Sequence, residues 1–293
     1  MKRLVILGAG GRLGAALARS YASHYEVTGF NHSQLDLGSS KAIEEKLDPA
    51  SFDVLINCAA LTNVDYCETH HEEAFQVNSR AVGQIAAICA RKKARLIHIS
   101  TDYVFDGASQ VPYSETDPAH PISVYGESKR QGEIEMLQAD PEALSVRVSW
   151  VFGPDRPSFI DAVLKRARDC EKVDAIADKI SAPTLTLDMA QWLAPILEDR
   201  SLSGILHLCN GGECSWRDYG EYAIRCAIAE GIEMKTDTVA PLKLAELAAF
   251  VAKRPVYTVL STERFTQQTG ISPRSWQAAV EDYVRTCGRT ILG

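Results

Sequence analysis

No apolar run in the 293 residues approaches the roughly 18 needed for a membrane span. The opening stretch Leu4-Val5-Ile6-Leu7 ends after four residues in glycines, too short for the apolar region of a signal peptide. Positive charge is scarce: 31 Lys and Arg face 38 Asp and Glu, a net charge of -7, which argues against bulk affinity for nucleic acid or an anionic membrane. The single basic cluster, Arg91-Lys92-Lys93-Ala94-Arg95, falls where a helix ends, and solvated charges at a negative helix terminus account for it. The eight cysteines form no C-x-x-C pair and no Cys/His ligand spacing, so reduced core thiols are expected and no metal. Neither a repeat nor a Gly/Ser/Pro linker divides the chain. These absences together predict a soluble, cytoplasmic protein with no nucleic-acid and no membrane partner.

What is present begins at the first strand. Leu4-Val5-Ile6-Leu7 has the all-apolar character of a parallel strand buried on both faces. It runs into Gly8-Ala9-Gly10-Gly11-Arg12-Leu13-Gly14 and then a helix-favouring Ala15-Ala16-Leu17-Ala18-Arg19. Gly8 permits a tight turn, Gly10 and Gly11 let backbone N–H groups approach a pyrophosphate, and Gly14 lets the helix pack on the strand. Strand, glycines and helix in that order predict a dinucleotide site.

The second strand, Glu26 to Phe30, ends on Asn31-His32-Ser33, without the acid that would hold the ribose hydroxyls of NAD. Arg12 is expected to meet a 2'-phosphate instead, so NADP is favoured and NAD remains open. Asp36-Leu37 is expected near the adenine, or Asp36 as a cap of the helix starting near Ser39. A third strand, Phe52 to Ala60, ends in Cys58-Ala59-Ala60, small enough to leave room for a ribose or nicotinamide. His70-His71 reads as a solvated helix start. Glu72 to Arg91 has one long helical periodicity, interrupted on its apolar stripe by Asn78. A buried Asn there would hold a water or a carbonyl near the site.

Leu96 to Thr101 is the next strand, with Thr101 at its carboxyl end. Tyr125 and Lys129 lie at i, i+4 spacing on a helical segment, hence on one face. A tyrosine titrates near about 10. An ammonium one turn away would favour its phenolate, which suits proton transfer at a carbonyl or alcohol carbon. Thr101 is placed to share the same oxygen.

With the glycine loop, Ser100-Thr101 and Tyr125-x-x-x-Lys129 on one rim, the chain resembles an extended short-chain dehydrogenase/reductase. More narrowly it is similar to the dTDP-4-dehydrorhamnose reductase family. That likeness is carried by Cys58 to Asp65, by Ser100-Thr101-Asp102-Tyr103-Val104-Phe105, by Val124 to Lys129 and by Ser149-Trp150-Val151-Phe152. Ala182-Pro183-Thr184, Gly204 to Leu208 and Arg254-Pro255 continue it. The resemblance implies a Rossmann-type doubly wound parallel sheet over residues 1–151. A smaller substrate-binding lobe would follow over 152–293, with segments returning to the sheet.

It further implies a nucleotide-linked 6-deoxysugar substrate, reduced at its 4-keto group. Tyr125 would be the proton donor, Lys129 would tune Tyr125 and bind the nicotinamide ribose, and Thr101 would bond the carbonyl. Val64, Asp102, Tyr103 and Trp150 would line the sugar pocket, and Asn78 would support the site beside the cofactor. Sugar-nucleotide dehydratases of the superfamily carry Asp-Glu after the threonine; here Tyr103 follows Asp102, which favours simple reduction. Ala16 stands where some relatives place a metal-binding glutamate at a dimer contact, and a homodimer stays open. Two other readings stand beside this one, a sugar-nucleotide epimerase of the same superfamily and an NADP-binding regulatory subunit resembling that of methionine adenosyltransferase.

Overall fold

The computed structural model describes residues 1–247 and 249–292. Five strands, β1 (Arg3–Leu7), β2 (Glu26–Phe30), β3 (Val54–Asn57), β4 (Arg95–Thr101) and β5 (Leu144–Val148), join a sixth, Gly204–His207, in one parallel sheet. From one edge the order is Gly204–His207, β5, β4, β3, β1, β2. The direction of winding therefore reverses between β1 and β3, and open α/β sheets bind ligands outside the carboxyl ends of the strands at such a point.

Alternation along β1 shows why the strand is apolar throughout. Leu4 and Ile6 face one side, where α1 (Arg12–Tyr21) contributes Leu13 and Leu17 and α8 (Thr186–Leu193) contributes Met189 and Trp192. Val5 and Leu7 face the other, against Ile43 of α2 (Ser40–Leu47) and Ile85 of α5 (Ala81–Lys92). Both faces are dry, as a doubly wound sheet requires. The helix α2 is capped by Ser39, which accepts from Ala42 N; Asp36, the expected cap, instead accepts from Gly38 N in a local turn.

The long helix expected from Glu72 to Arg91 is present as a continuous helical run from His71 to Lys92, with a π-turn inside it. The chain forms α3 (Val64–Thr69), α4 (His71–Phe75), a π-turn at Gln76–Arg80 and then α5. The wider turn carries Asn78 inward, and its backbone carbonyl lies against Gly132 of α6 (Val124–Ala139). Such single π-turns favour functional sites because they admit an extra side chain into the packed face.

Beyond Phe152, α7 (Phe159–Asp169), α9 (Trp216–Ala229) and α10 (Trp276–Leu292) bury a second core that includes Trp276. Ser215 caps α9 in a reciprocal pair with Asp218. Trp192 packs in the sheet core and Trp216 against the second core. The strand Gly204–His207 and helix α8 place parts of this half on the main sheet.

Candidate active site

A cleft of about 1300 Å³ lies at the switch point. It brings together Gly8, Gly10, Gly11, Arg12 and Leu13 of the glycine loop, Asn31, Asp36 and Leu37 after β2, and Cys58, Ala59 and Ala60 after β3. Val64, Thr101, Asp102, Tyr103, Tyr125, Lys129 and Trp150 line the same space.

The glycine loop shows why it needs its residues. Gly8 has φ 75°, and a methyl group there would sit 2.8 Å from Ala59 N. A methyl at Gly14 would sit 2.3 Å from Gly8 O, so α1 closes directly on the loop; Gly14 supports the cleft without lining it. Gly11 caps α1 without a side-chain acceptor, which leaves the first turn's N–H groups open to an anion. These features fit a dinucleotide pyrophosphate.

Arg12 departs from expectation. Its Nη1 donates to Val151 O at 3.0 Å, its Nε to Arg156 O at 3.2 Å and its Nη2 to Pro157 O. All three nitrogens donate to the 151–157 loop, so the guanidinium is held against that loop and only one N–H each of Nη1 and Nη2 is left over.

On the other wall, Ser123 caps α6 by accepting from Gly126 N, and Gly126 packs directly on Tyr103 O. This seats Tyr125 in the first turn of α6, buried, with its ring 5.6 Å from that of Tyr103. Burial pushes the Tyr125 hydroxyl well above its ordinary value, Thr101 opposes this through a hydrogen bond, and Asp102 and Cys67 add to the rise. The expected lowering by Lys129 is absent, because the amine is turned elsewhere: Lys129 Nζ donates to Ile99 O at 2.7 Å and lies 3.0 Å from His98 Nε2.

Burial pulls the Lys129 amine down to about 8, against the opposing field of Glu133. The hydrogen bonds agree with that direction. Asn57 Oδ1 accepts from Ala59 N at 3.0 Å, so its NH₂ faces His98 Nδ1 at 3.2 Å. His98 is buried and held neutral by burial and by Lys129. Its one proton therefore belongs on Nε2, pointing at Lys129, which disfavours the charged amine in the same direction as burial.

Asn78 does not line the cleft. It is fully buried; its Oδ1 accepts from Leu61 N at 2.8 Å, and its Nδ2 donates to Leu61 O at 3.0 Å and to Ser128 Oγ at 3.1 Å. It clamps the exit of β3 to α6 and so acts on the site through its walls rather than on a cofactor. Asp102 is likewise an anchor more than a substrate contact. Its Oδ2 lies 2.6 Å from Thr258 Oγ1 and 3.0 Å from Ser149 Oγ, and its Oδ1 accepts from Thr101 at 3.1 Å.

Trp150 has φ 39°, a left-handed conformation rare for a bulky residue, and its Nε1 is buried without a hydrogen-bond partner among the described residues. The strain turns its side chain at the corner where β5 leaves the sheet, between the cleft and the rings of Trp216 and Tyr219. Beneath the wall, Lys179 is fully buried, with Nζ 5.1 Å from the Tyr103 ring and 5.7 Å from the Trp150 ring. Sequence reading missed Lys179, His98 and Asn57. For His98 and Asn57 a signal existed: each is a lone polar residue inside or ending an apolar strand.

Among the described residues no group of three or more His, Cys, Asp or Glu is placed to hold a metal, and no helix is long and apolar enough to cross a membrane.

Comparison with known proteins agrees with this geometry. The family model described as the RmlD substrate binding domain matches residues 1–288. A dTDP-4-dehydrorhamnose reductase of Aggregatibacter actinomycetemcomitans is 34% identical over 96% of this chain and 98% of its own length. One from Mycolicibacterium smegmatis is 37% identical over 97% of this chain and 85% of its own. The crystal structure of dTDP-4-dehydrorhamnose reductase from Bacillus anthracis in complex with NADP superimposes with a TM-score of 0.90 at 27% identity, covering 96% of this chain and 98% of that one.

Proposed function

The chain belongs to the RmlD substrate binding domain family, that of the dTDP-4-dehydrorhamnose reductases, and from that premise we infer that it is an NADPH-dependent reductase of the 4-keto group of a nucleotide-linked 6-deoxysugar, on the route to dTDP-L-rhamnose. The observation that carries this reading is the meeting of Thr101, Tyr125 and Lys129 with the glycine loop in one cleft. The proposed division of labour is a dinucleotide-binding part over 1–151 and a substrate lobe over 152–293.

When bound, NADPH supplies the hydride. Everything else falls to the protein. The glycine loop and the first turn of α1 hold the pyrophosphate. Tyr125, kept protonated by burial, donates its proton to the C4 oxygen as charge develops there. The Thr101 hydroxyl bonds the same oxygen and fixes its distance from Tyr125. Lys129, titrating near 8, is poised to turn from His98 toward the site and stabilise the resulting phenolate. Val64, Tyr103 and Trp150 enclose the deoxysugar and exclude water. The eight cysteines, all free, support a cytoplasmic location.

The test is loss of reduced-nicotinamide absorbance on mixing the protein, NADPH and dTDP-4-dehydrorhamnose, with a no-sugar control. Oxidation stoichiometric with sugar supports the reading. Sugar conversion without net oxidation would replace it with epimerisation. Tight NADPH binding with no turnover of any keto-sugar would replace it with the regulatory role.

A further inference from the structure

The end of β2 carries no acid, and each nitrogen of Arg12 already donates to a backbone carbonyl of the 151–157 loop. We propose that Arg156 is the residue that reads the 2'-phosphate of NADPH, and that Arg12 and Arg19 are positioning residues that hold its loop in place. The inference rests on the NADPH reading above and adds the group that confers the preference.

Arg156 Nε donates to Gly10 O at 2.9 Å, which lays the guanidinium along the glycine loop. A methyl group at Gly10 would sit 3.2 Å from Asn31 Cβ and 4.0 Å from Arg156 Nη2. The outer edge of the guanidinium and the first residue beyond β2 therefore face each other across Gly10. In a doubly wound fold that place receives the adenosine ribose. Arg156 is exposed and lines the cleft with Asn31, His32 and Ser33. Its Nη1 and Nη2 have no hydrogen bond or ion pair among the described residues. A free planar fork of this kind suits a phosphate dianion. The nearby carboxylate of Asp36 is tied back by Gly38 N at 2.8 Å.

The loop that carries Arg156 is fastened to α1 at several points. Arg12 holds the carbonyls of Val151, Arg156 and Pro157, and Arg19 pairs with Asp155 through both carboxylate oxygens. The binding surface for the phosphate is thus assembled from both halves of the chain. A scan of the glycine motif alone selects the wrong arginine, because Arg12 is the basic residue within the motif and Arg156 lies 144 positions later.

The test measures dissociation constants for NADPH and NADH by quenching of intrinsic fluorescence, without turnover, in wild type, Arg156→Ala and Arg12→Ala, with thermal melts of each apoprotein. Arg156→Ala is expected to weaken NADPH by about 10- to 100-fold, the scale of lost charge-assisted hydrogen bonds, and to leave NADH within about twofold. Its melting temperature should match wild type, whereas Arg12→Ala should melt earlier. Equal effects of Arg156→Ala on both cofactors, or none on either, would overturn the proposal. So would an Arg12→Ala protein that loses NADPH selectively while Arg156→Ala does not. A wild type that binds NADPH no better than NADH would instead overturn the cofactor reading on which the proposal stands.

Discussion

Tyr125 and Lys129 show how far residue spacing reaches. Their i, i+4 separation places both in the cleft, but it cannot say where an amine turns once buried. Here Ile99 O and His98 capture Lys129, and burial, not Lys129, dominates Tyr125. Tyr125→Phe should lower kcat by about 10²- to 10⁴-fold, the range for a lost general acid, while the NADPH dissociation constant measured by fluorescence stays near that of wild type. The pH dependence follows from Lys129. With its value lowered to about 8, the amine is charged below that pH and neutral above it. The charged form is the one that stabilises a phenolate, so kcat/KM should fall as pH rises through about 8. In Lys129→Arg that limb should vanish from the pH profile, because a guanidinium does not titrate in this range. A limb unchanged by the substitution would assign it to another group.

At the scale of elements, β1, β3 and β4 were legible because their apolar runs are short and bounded by glycine, Asn or Asp, whereas Gly204–His207, short and at the sheet edge, was not read as a strand. The glycine loop was legible because backbone approach leaves few residues eligible. The π-turn at Gln76–Arg80 was not, since its periodicity differs from an α-helix by a single residue and reads as one long amphipathic segment. What betrayed it was Asn78, a polar residue on an apolar stripe, whose role is to clamp the Leu61 backbone to α6. Asn78→Ala would remove these partners from the partly buried Leu61 N–H and C=O, of which the carbonyl keeps only the contact with Cys67 Sγ. The expected cost is ~1–3 kcal/mol for each buried group left unsatisfied, read from urea denaturation. Because the clamp sets the spacing between the loop after β3 and the helix bearing Tyr125, kcat should fall with it. Full activity with lost stability would show that the clamp is purely structural.

At the scale of the whole molecule, the half beyond Phe152 is tied to the first half by contacts that no local pattern announces, because they join residues far apart in the chain. Asp65, at the start of α3, is the clearest. Its carboxylate pairs with the Arg254 guanidinium at 2.6 Å and accepts from the backbone N–H groups of Val251 and Ala252 at 2.8 and 2.9 Å. The neighbouring Val64 lines the cleft, and Pro255 O holds the buried Lys179 beneath Tyr103 and Trp150. The 251–255 segment therefore connects one wall of the cleft to the residues beneath Tyr103 and Trp150. Hydrogen bonding from Arg254 draws the Asp65 carboxyl down to about 2, below its unfolded value of about 3.9. A depressed acid contributes its stability above the unfolded value and loses it as pH falls through the folded one, so this tie is complete at neutral pH and fails only between about 4 and 2. Asp65→Ala should abolish it at every pH. Hydrogen exchange at neutral pH is then expected to accelerate at Val251 and Ala252 while β1, β3 and β4 keep their protection. The KM for the sugar nucleotide should rise, with NADPH affinity unchanged. Unaltered exchange at those two amides would mean that the segment is held by its other contacts and that Asp65 does not join the two halves.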